Sequence, residues 1–217
     1  MDVKHSIVFP TLISEFNLSK HQCEQLVIEK IETWFKLKDP NLYNNNAEKF
    51  LNEFDLIELW KTFQECLDVY CEKANIKPVI ISSSWCKAEE TGQSIKAHKH
   101  PESVLSGVYY PYIDPNSSSL VFENPTTPVI KEHNIRRIMN MDHSDLHKEN
   151  YVIDNLEFIP QCGILIVFPS HVKHWVLPNM ANKRYTVVFN TLLYSERKSL
   201  DLDTYIRDYR IEQHVDK

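Results

Sequence analysis

The sequence predicts a mainly β protein with flanking helices, its strands folded as an antiparallel sandwich or barrel. Three observations lead there. Two amphipathic helical stretches occupy the first third of the chain. From Val79 to about residue 194 the pattern changes to short β-prone runs separated by turn residues, with no helical pattern between them. That removes the βαβ unit and with it a parallel sheet. Only three glycines occur, Gly92, Gly107 and Gly163. They form no glycine-rich phosphate loop, which excludes P-loop and dinucleotide-binding folds.

Residues 6–16 read as an extended lead-in, with Pro10 marking an edge strand or a bend. Ser19 opens the first helix, and Gln22 three residues on completes a capping box. Leu26, Val27, Ile31, Trp34 and Phe35 recur at helical spacing until Pro40 and Asn44-Asn45-Asn46 end the helix. A second, longer helix is predicted over Ala47–Ala74. Phe50, Phe54, Ile57, Trp60, Phe63, Leu67 and Tyr70 fall at three- and four-residue steps, a stripe suited to packing on a sheet. Strand segments follow at about 79–88, 103–113, 118–123, 133–139, 151–159, 163–168, 173–178 and 184–194. Asp114-Pro115-Asn116-Ser117 and Pro125-Thr126-Thr127-Pro128 read as loops. The stretch Lys131–Asn150 is a polar insertion whose histidines, His133, His143 and His147, show no regular ligand spacing. Pro160-Gln161-Cys162-Gly163 reads as a tight turn feeding a central strand, Ile164-Leu165-Ile166-Val167-Phe168. In the tail from Ser195, Leu202, Tyr205, Ile206 and Tyr209 fall at helical spacing.

The 217 residues are 42% hydrophobic and 25% charged, ordinary for a globular domain. A net charge of -6 argues against a general electrostatic grip on nucleic acid. No apolar run approaches the roughly 20 residues of a membrane helix. The start, Met1-Asp2-Val3-Lys4-His5, has no long apolar core of a signal peptide, so a cytoplasmic protein is expected. The five cysteines, Cys23, Cys66, Cys71, Cys86 and Cys162, form no CxxC pair. They read as reduced core thiols rather than a disulfide frame or a zinc knuckle.

The chemistry concentrates in a few places. In Ala97-His98-Lys99-His100-Pro101-Glu102, two histidines stand at i and i+2, on one side of an extended chain. Neutral imidazole suits Zn, Cu, Fe and Ni alike. A third imidazole is His174, at the start of a late strand, with His171 as the competing choice. Arg184 follows ten residues after His174, and Arg184, Thr186, Val188 and Asn190 share one strand face. A buried guanidinium beside a hydroxyl makes a carboxylate clamp. Plain alternatives stand beside each reading: a polar strand end for His98 and His100, a surface ion pair for Arg184, packing for Tyr109 and Tyr110, wall or core for Trp85 and Trp175.

From about Trp85 to Asn190 the chain resembles the 2-oxoglutarate- and Fe(II)-dependent oxygenases, most of all a small family with members in phage and bacterial genomes. The matching pieces are His98-Lys99-His100-Pro101, Ser106-Gly107-Val108-Tyr109-Tyr110, Gly163–Ser170, His174 and Arg184–Asn190. The resemblance implies a double-stranded β-helix (jelly-roll, cupin-like) core with N-terminal helices packed on the major sheet. It implies one oxygenase domain over 1–217, with supporting elements in 1–78, the core in 79–194 and a helical tail in 195–217. It also implies Fe(II) held by His98, His100 and His174, with O2 and 2-oxoglutarate as co-substrates and ascorbate as a candidate addition. Arg184, Thr186, Tyr110 and Asn190 would hold the keto acid, and the outcome would be substrate hydroxylation with release of succinate and CO2.

One departure stands out. The broad pattern is His-x-Asp/Glu, and His100 takes the place of the carboxylate. Three neutral imidazoles leave a site one negative charge short of the two-histidine, one-carboxylate triad. Glu102 or another carboxylate is the alternative third ligand. The same histidine keeps two other readings open: a cupin-like three-histidine dioxygenase that uses no keto acid, and a non-catalytic jelly-roll binding protein. The sequence names neither the primary substrate nor the oligomeric state, and a homodimer stays open.

Overall fold

The computed structural model describes residues 11–19, 24–37, 50–53, 56–125 and 155–194. Expectations for Pro10, Gln22, Cys23, Pro40, Phe54, the 133–139 strand, the insertion with His133, His143 and His147, and the tail from Ser195 lie outside these residues.

The elements in order are β1 (Ser14–Asn17), α1 (Glu24–Leu37), α2 (Phe50–Glu53), α3 (Ile57–Ala74), β2 (Val79–Glu90), β3 (Ile95–His98), β4 (Leu105–Ile113), β5 (Leu120–Glu123), β6 (Asn155–Phe158), β7 (Ile164–Pro169), β8 (His174–Val176) and β9 (Lys183–Leu193). They form a major sheet, β1-β7-β4-β9-β2, and a minor sheet, β3-β8-β5-β6. All pairings are antiparallel. Between β2 and β9 the pairs nest: β2 with β9, β3 with β8, β4 with β7 and β5 with β6. That is one long hairpin folded over into two facing sheets, the jelly-roll winding.

The major sheet is buried on both faces, which is why its strands read as nearly continuous apolar runs. On one face Leu105, Tyr109, Leu165, Val167, Tyr185, Val187 and Phe189 join Trp60, Phe63, Leu67, Ile31 and Trp34 of the helices in one core. On the other, Val108, Tyr110, Ile166, Phe168 and Val188 meet Leu120, Phe122 and Val176 of the minor sheet. Side-chain alternation along each strand sorts the two sets. Gly107 keeps its place in β4 because a Cβ there would stand 2.1 Å from the Phe189 ring. Gly163, at φ +76°, makes the turn that delivers β7 into the sheet interior.

Several helical expectations change. Residues 50–53 and 57–74 form two helices rather than one, because Leu56 leaves the helical region at φ -89°, ψ 44°. The break lets Phe50, Leu51, Leu56 and Trp60 all bury, and the apolar spacing runs through it unchanged. The described part of α1 starts at Glu24, and the capping box predicted from Ser19 to Gln22 runs into residues outside those described. The Oγ of Ser19 donates to Asn17 Oδ1 at 2.5 Å. Val27, Ile31 and Trp34 are core, but Leu26 and Phe35 face outward. Cys66, Cys71 and Cys86 are buried free thiols, whereas Cys162 is exposed. Burial drives the Cys66 thiol up to about 12, which marks it as an inert core residue. The strand β3 was not anticipated, since it has only four residues and one buried-type side chain, Ile95.

Candidate metal centre

His98 closes β3 and His174 opens β8, and the two are direct cross-strand partners in the minor sheet. Facing partners carry their side chains on the same side, so the register itself brings the rings together, centroids 4.3 Å apart. His100 lies two residues beyond His98, and its backbone N–H donates to Ser170 O at 2.9 Å. Its ring centroid is 5.0 Å from that of His98 and 5.2 Å from that of His174. One nitrogen from each imidazole lies within 4.8 Å of the others, a group able to hold a metal ion.

The other ring nitrogens are occupied. His98 Nδ1 is 2.8 Å from Lys96 O, and His174 Nδ1 is 2.9 Å from Val172 O. A carbonyl only accepts, so each Nδ1 donates its hydrogen and each Nε2 keeps a lone pair. His100 Nδ1 is 2.6 Å from Asn190 Oδ1. Ser106 Oγ donates to the same amide oxygen at 2.8 Å and pairs with Ser170 Oγ at 2.8 Å. Burial, only partly offset by the Val172 carbonyl, lowers the His174 pKa to about 4. Burial also lowers that of His100, against the pull of Asn190. Both rings are therefore neutral at pH 7, the form a metal requires. Phe168 and Phe122 pack on His174 at 4.8 and 6.0 Å, and Trp85 lies 5.9 Å from His100.

Of the two candidate late histidines, His174 lies in the cluster, whereas His171 is exposed and outside it. Glu102 is exposed in the turn after His100 and also outside it. Asn190 was expected beside the keto acid. Its amide oxygen sits behind His100.

Arg184 lies on the inner face of β9 and is 1% exposed. Its guanidinium stands 5.3 Å over the Tyr110 ring and donates from Nη1 to Ser118 O at 3.2 Å. Thr186 is buried on the same face. A residue that the sequence reading missed lies opposite: Glu89, 6% exposed and the cross-strand partner of Arg184. Its Oε2 is 3.3 Å from Arg184 Nε. Among the described residues Arg184 Nε, Glu89 Oε2, Tyr110 Oη and Ser118 Oγ are buried with no hydrogen-bond partner. Burial pushes the Tyr110 hydroxyl up to about 12, against the nearby Arg184 charge, so it stays a donor. Lys87, two residues before Glu89 and half-buried, shares that strand face; burial lowers its pKa. The alternation Trp85, Lys87, Glu89 was the available signal for Glu89, but the partner strand needed to give it meaning lies about a hundred residues away.

Residues 83–190 match the family model described as "Putative 2OG-Fe(II) oxygenase". No curated protein matches the chain. Among solved structures, the chain is similar to the non-heme alpha ketoglutarate dependent epimerase SnoN from nogalamycin biosynthesis. There the TM-score is 0.59 and the identity 6%, over 83% of this chain and 78% of that one. It is also similar to HygX from Streptomyces hygroscopicus, solved with nickel and 2-oxoglutarate bound, at TM-score 0.56 and 9% identity over 83% and 82% of the two chains. Against a 2OG-Fe(II) oxygenase family oxidoreductase from Burkholderia pseudomallei, with TM-score 0.43 and 14% identity, 59% of this chain spans 51% of that protein. The two higher-scoring neighbours establish a shared jelly-roll fold. Through its residues 83–190, this chain belongs to the 2OG-Fe(II) oxygenase family.

Proposed function

We propose that this protein is a non-haem oxygenase that uses Fe(II) and 2-oxoglutarate to hydroxylate its substrate, releasing succinate and CO2. One observation carries the reading. Three imidazoles have occupied Nδ1 atoms, which leaves their Nε2 atoms free, and one nitrogen from each lies within 4.8 Å of the others. A buried guanidinium with unsatisfied neighbours faces the same interior. The fit to both groups is chemical. Three neutral nitrogen donors suit a first-row divalent ion. Buried donors without partners at Arg184 and Tyr110 are what an incoming carboxylate would satisfy.

In this reading His98, His100 and His174 hold the metal. Arg184, Thr186 and Tyr110 hold the far carboxylate of the keto acid. Bound Fe(II) supplies oxygen activation coupled to oxidative decarboxylation of the keto acid. The chain orients: Lys96 O and Val172 O fix two imidazoles, and Asn190 fixes the third. Phe122, Phe168 and Val176 keep bulk water from the inner wall. Residues 1–217 act as one domain, with the helices backing the core.

A second reading rests on His100. With no carboxylate ligand, the centre also suits a three-histidine dioxygenase that needs no keto acid. Anaerobic Fe(II) titration of the protein, with and without 2-oxoglutarate, separates the two. A visible charge-transfer band that appears only with both supports the first reading. Tight iron binding with no such band and no keto-acid binding supports the second.

A further inference from the structure

We infer that Glu89 is a built-in counter-carboxylate for Arg184, competing with the far carboxylate of the keto acid and so setting the affinity for that co-substrate. This rests on the co-substrate reading above and adds to it the control of one step, the capture of the diacid.

The argument begins with register. Glu89 and Arg184 face each other across β2 and β9, and both side chains point to the inner face. Both are almost wholly buried. A lone guanidinium inside the sandwich would carry an uncompensated charge, and losing one member of a buried pair is strongly unfavourable. Glu89 supplies the missing charge. It does so without fixing geometry: Oε2 is 3.3 Å from Nε, yet neither atom makes a hydrogen bond. The pair is joined by charge alone, the less demanding form of an Arg–carboxylate contact. The guanidinium therefore has donor capacity to spare while its charge is already balanced. A second carboxylate arriving at the clamp gains hydrogen bonds but meets the like charge of Glu89. Removing that charge while keeping an acceptor near Nε should tighten the diacid.

The charge count gives the arrangement a reason. Three neutral histidines leave the centre one negative charge short of a triad with a carboxylate ligand. Glu89 returns one negative charge to the same interior, at the clamp instead of at the metal. With Glu89 present, Arg184 adds no net charge to an interior that would hold a dication beside Lys87.

The test is a binding titration on the full chain, anaerobic and loaded with Fe(II), using 2-oxoglutarate and 2-oxovalerate. The second acid keeps the keto group and five carbons but has no far carboxylate. Glu89→Gln should bind 2-oxoglutarate about tenfold tighter, from like-charge repulsion removed in a partly desolvated site, with 2-oxovalerate unchanged. Glu89→Asp, which keeps the charge but draws it back by one methylene, should fold like the wild type and tighten 2-oxoglutarate by a smaller factor. In the metal-free chain, Glu89→Gln should lower the melting temperature and glutarate should restore more of it than in the wild type. Unchanged or weaker 2-oxoglutarate binding in both variants overturns the inference, as does equal tightening of the two acids. A wild-type chain that binds neither acid overturns the co-substrate reading itself, and that result is distinct because it appears before any substitution is made.

Discussion

Asn190 Oδ1 stands 2.6 Å from His100 Nδ1, so β9 supports a residue of the opposite wall. The same strand carries Arg184 six residues earlier, and both lie on its inner face. Partners behind metal-binding histidines typically contribute about 10- to 100-fold in metal affinity. Asn190→Ala should weaken Fe(II) or Zn(II) binding by that factor with little change in melting temperature of the metal-free protein. Isothermal titration with the metal alone measures it; unchanged affinity would show that His100 is not a ligand.

The two late histidines give a sharper contrast. His174 is buried against Phe168 and sits in the cluster. His171, three residues earlier, is exposed. His174→Ala should abolish stoichiometric metal binding, and His171→Ala should leave it intact. Metal content after dialysis decides the matter, and the reverse pattern would mean the wrong ring was chosen.

Arg184→Ala should raise the 2-oxoglutarate concentration needed for half-saturation by about 100-fold or more, since charge-assisted hydrogen bonds contribute about 1.5–3 kcal/mol each. Metal content should not change. The substitution also strands Glu89 as a buried unpaired carboxylate, at a cost of roughly 3–5 kcal/mol. Adding Glu89→Gln to Arg184→Ala should recover most of that stability without recovering co-substrate affinity. Thermal melts and co-substrate titrations on the single and double variants separate the two effects.

Acid should destabilise the metal-free fold through His174. Its folded pKa is about 4, below the ordinary 6.5, chiefly because it is buried. Above pH 6.5 the ring is neutral whether the chain is folded or not, and no penalty exists. Between pH 6.5 and 4 the unfolded chain binds the extra proton and the folded one resists it, so stability falls as pH falls. The full loss is on the order of 3 kcal/mol. Urea melts of the metal-free protein across this window should show the drop, and His174→Phe should flatten it.

Much of this is legible in the sequence. Alternation along Arg184–Asn190 predicted which side chains share the inner face, because parity along a single strand is a local property. Likewise the i, i+2 spacing of His98 and His100 needed no knowledge of the fold. What stayed hidden depends on pairing between distant strands. Nothing near Glu89 in the chain marks it as the partner of Arg184, and nothing near Asn190 says that its amide turns to His100. The break at Leu56 was hidden for another reason: the apolar repeat continues across it, so periodicity alone sees one helix.

The imidazoles of His98 and His174 hang from the minor sheet and the guanidinium of Arg184 from the major sheet. A molecule gripped by both is measured against the gap between two backbone layers. Preference for one carbon count over the next would thus be a property of the whole sandwich. Single substitutions at either end would alter how firmly the guest is held, while changing its permitted length would require the layers themselves to be respaced.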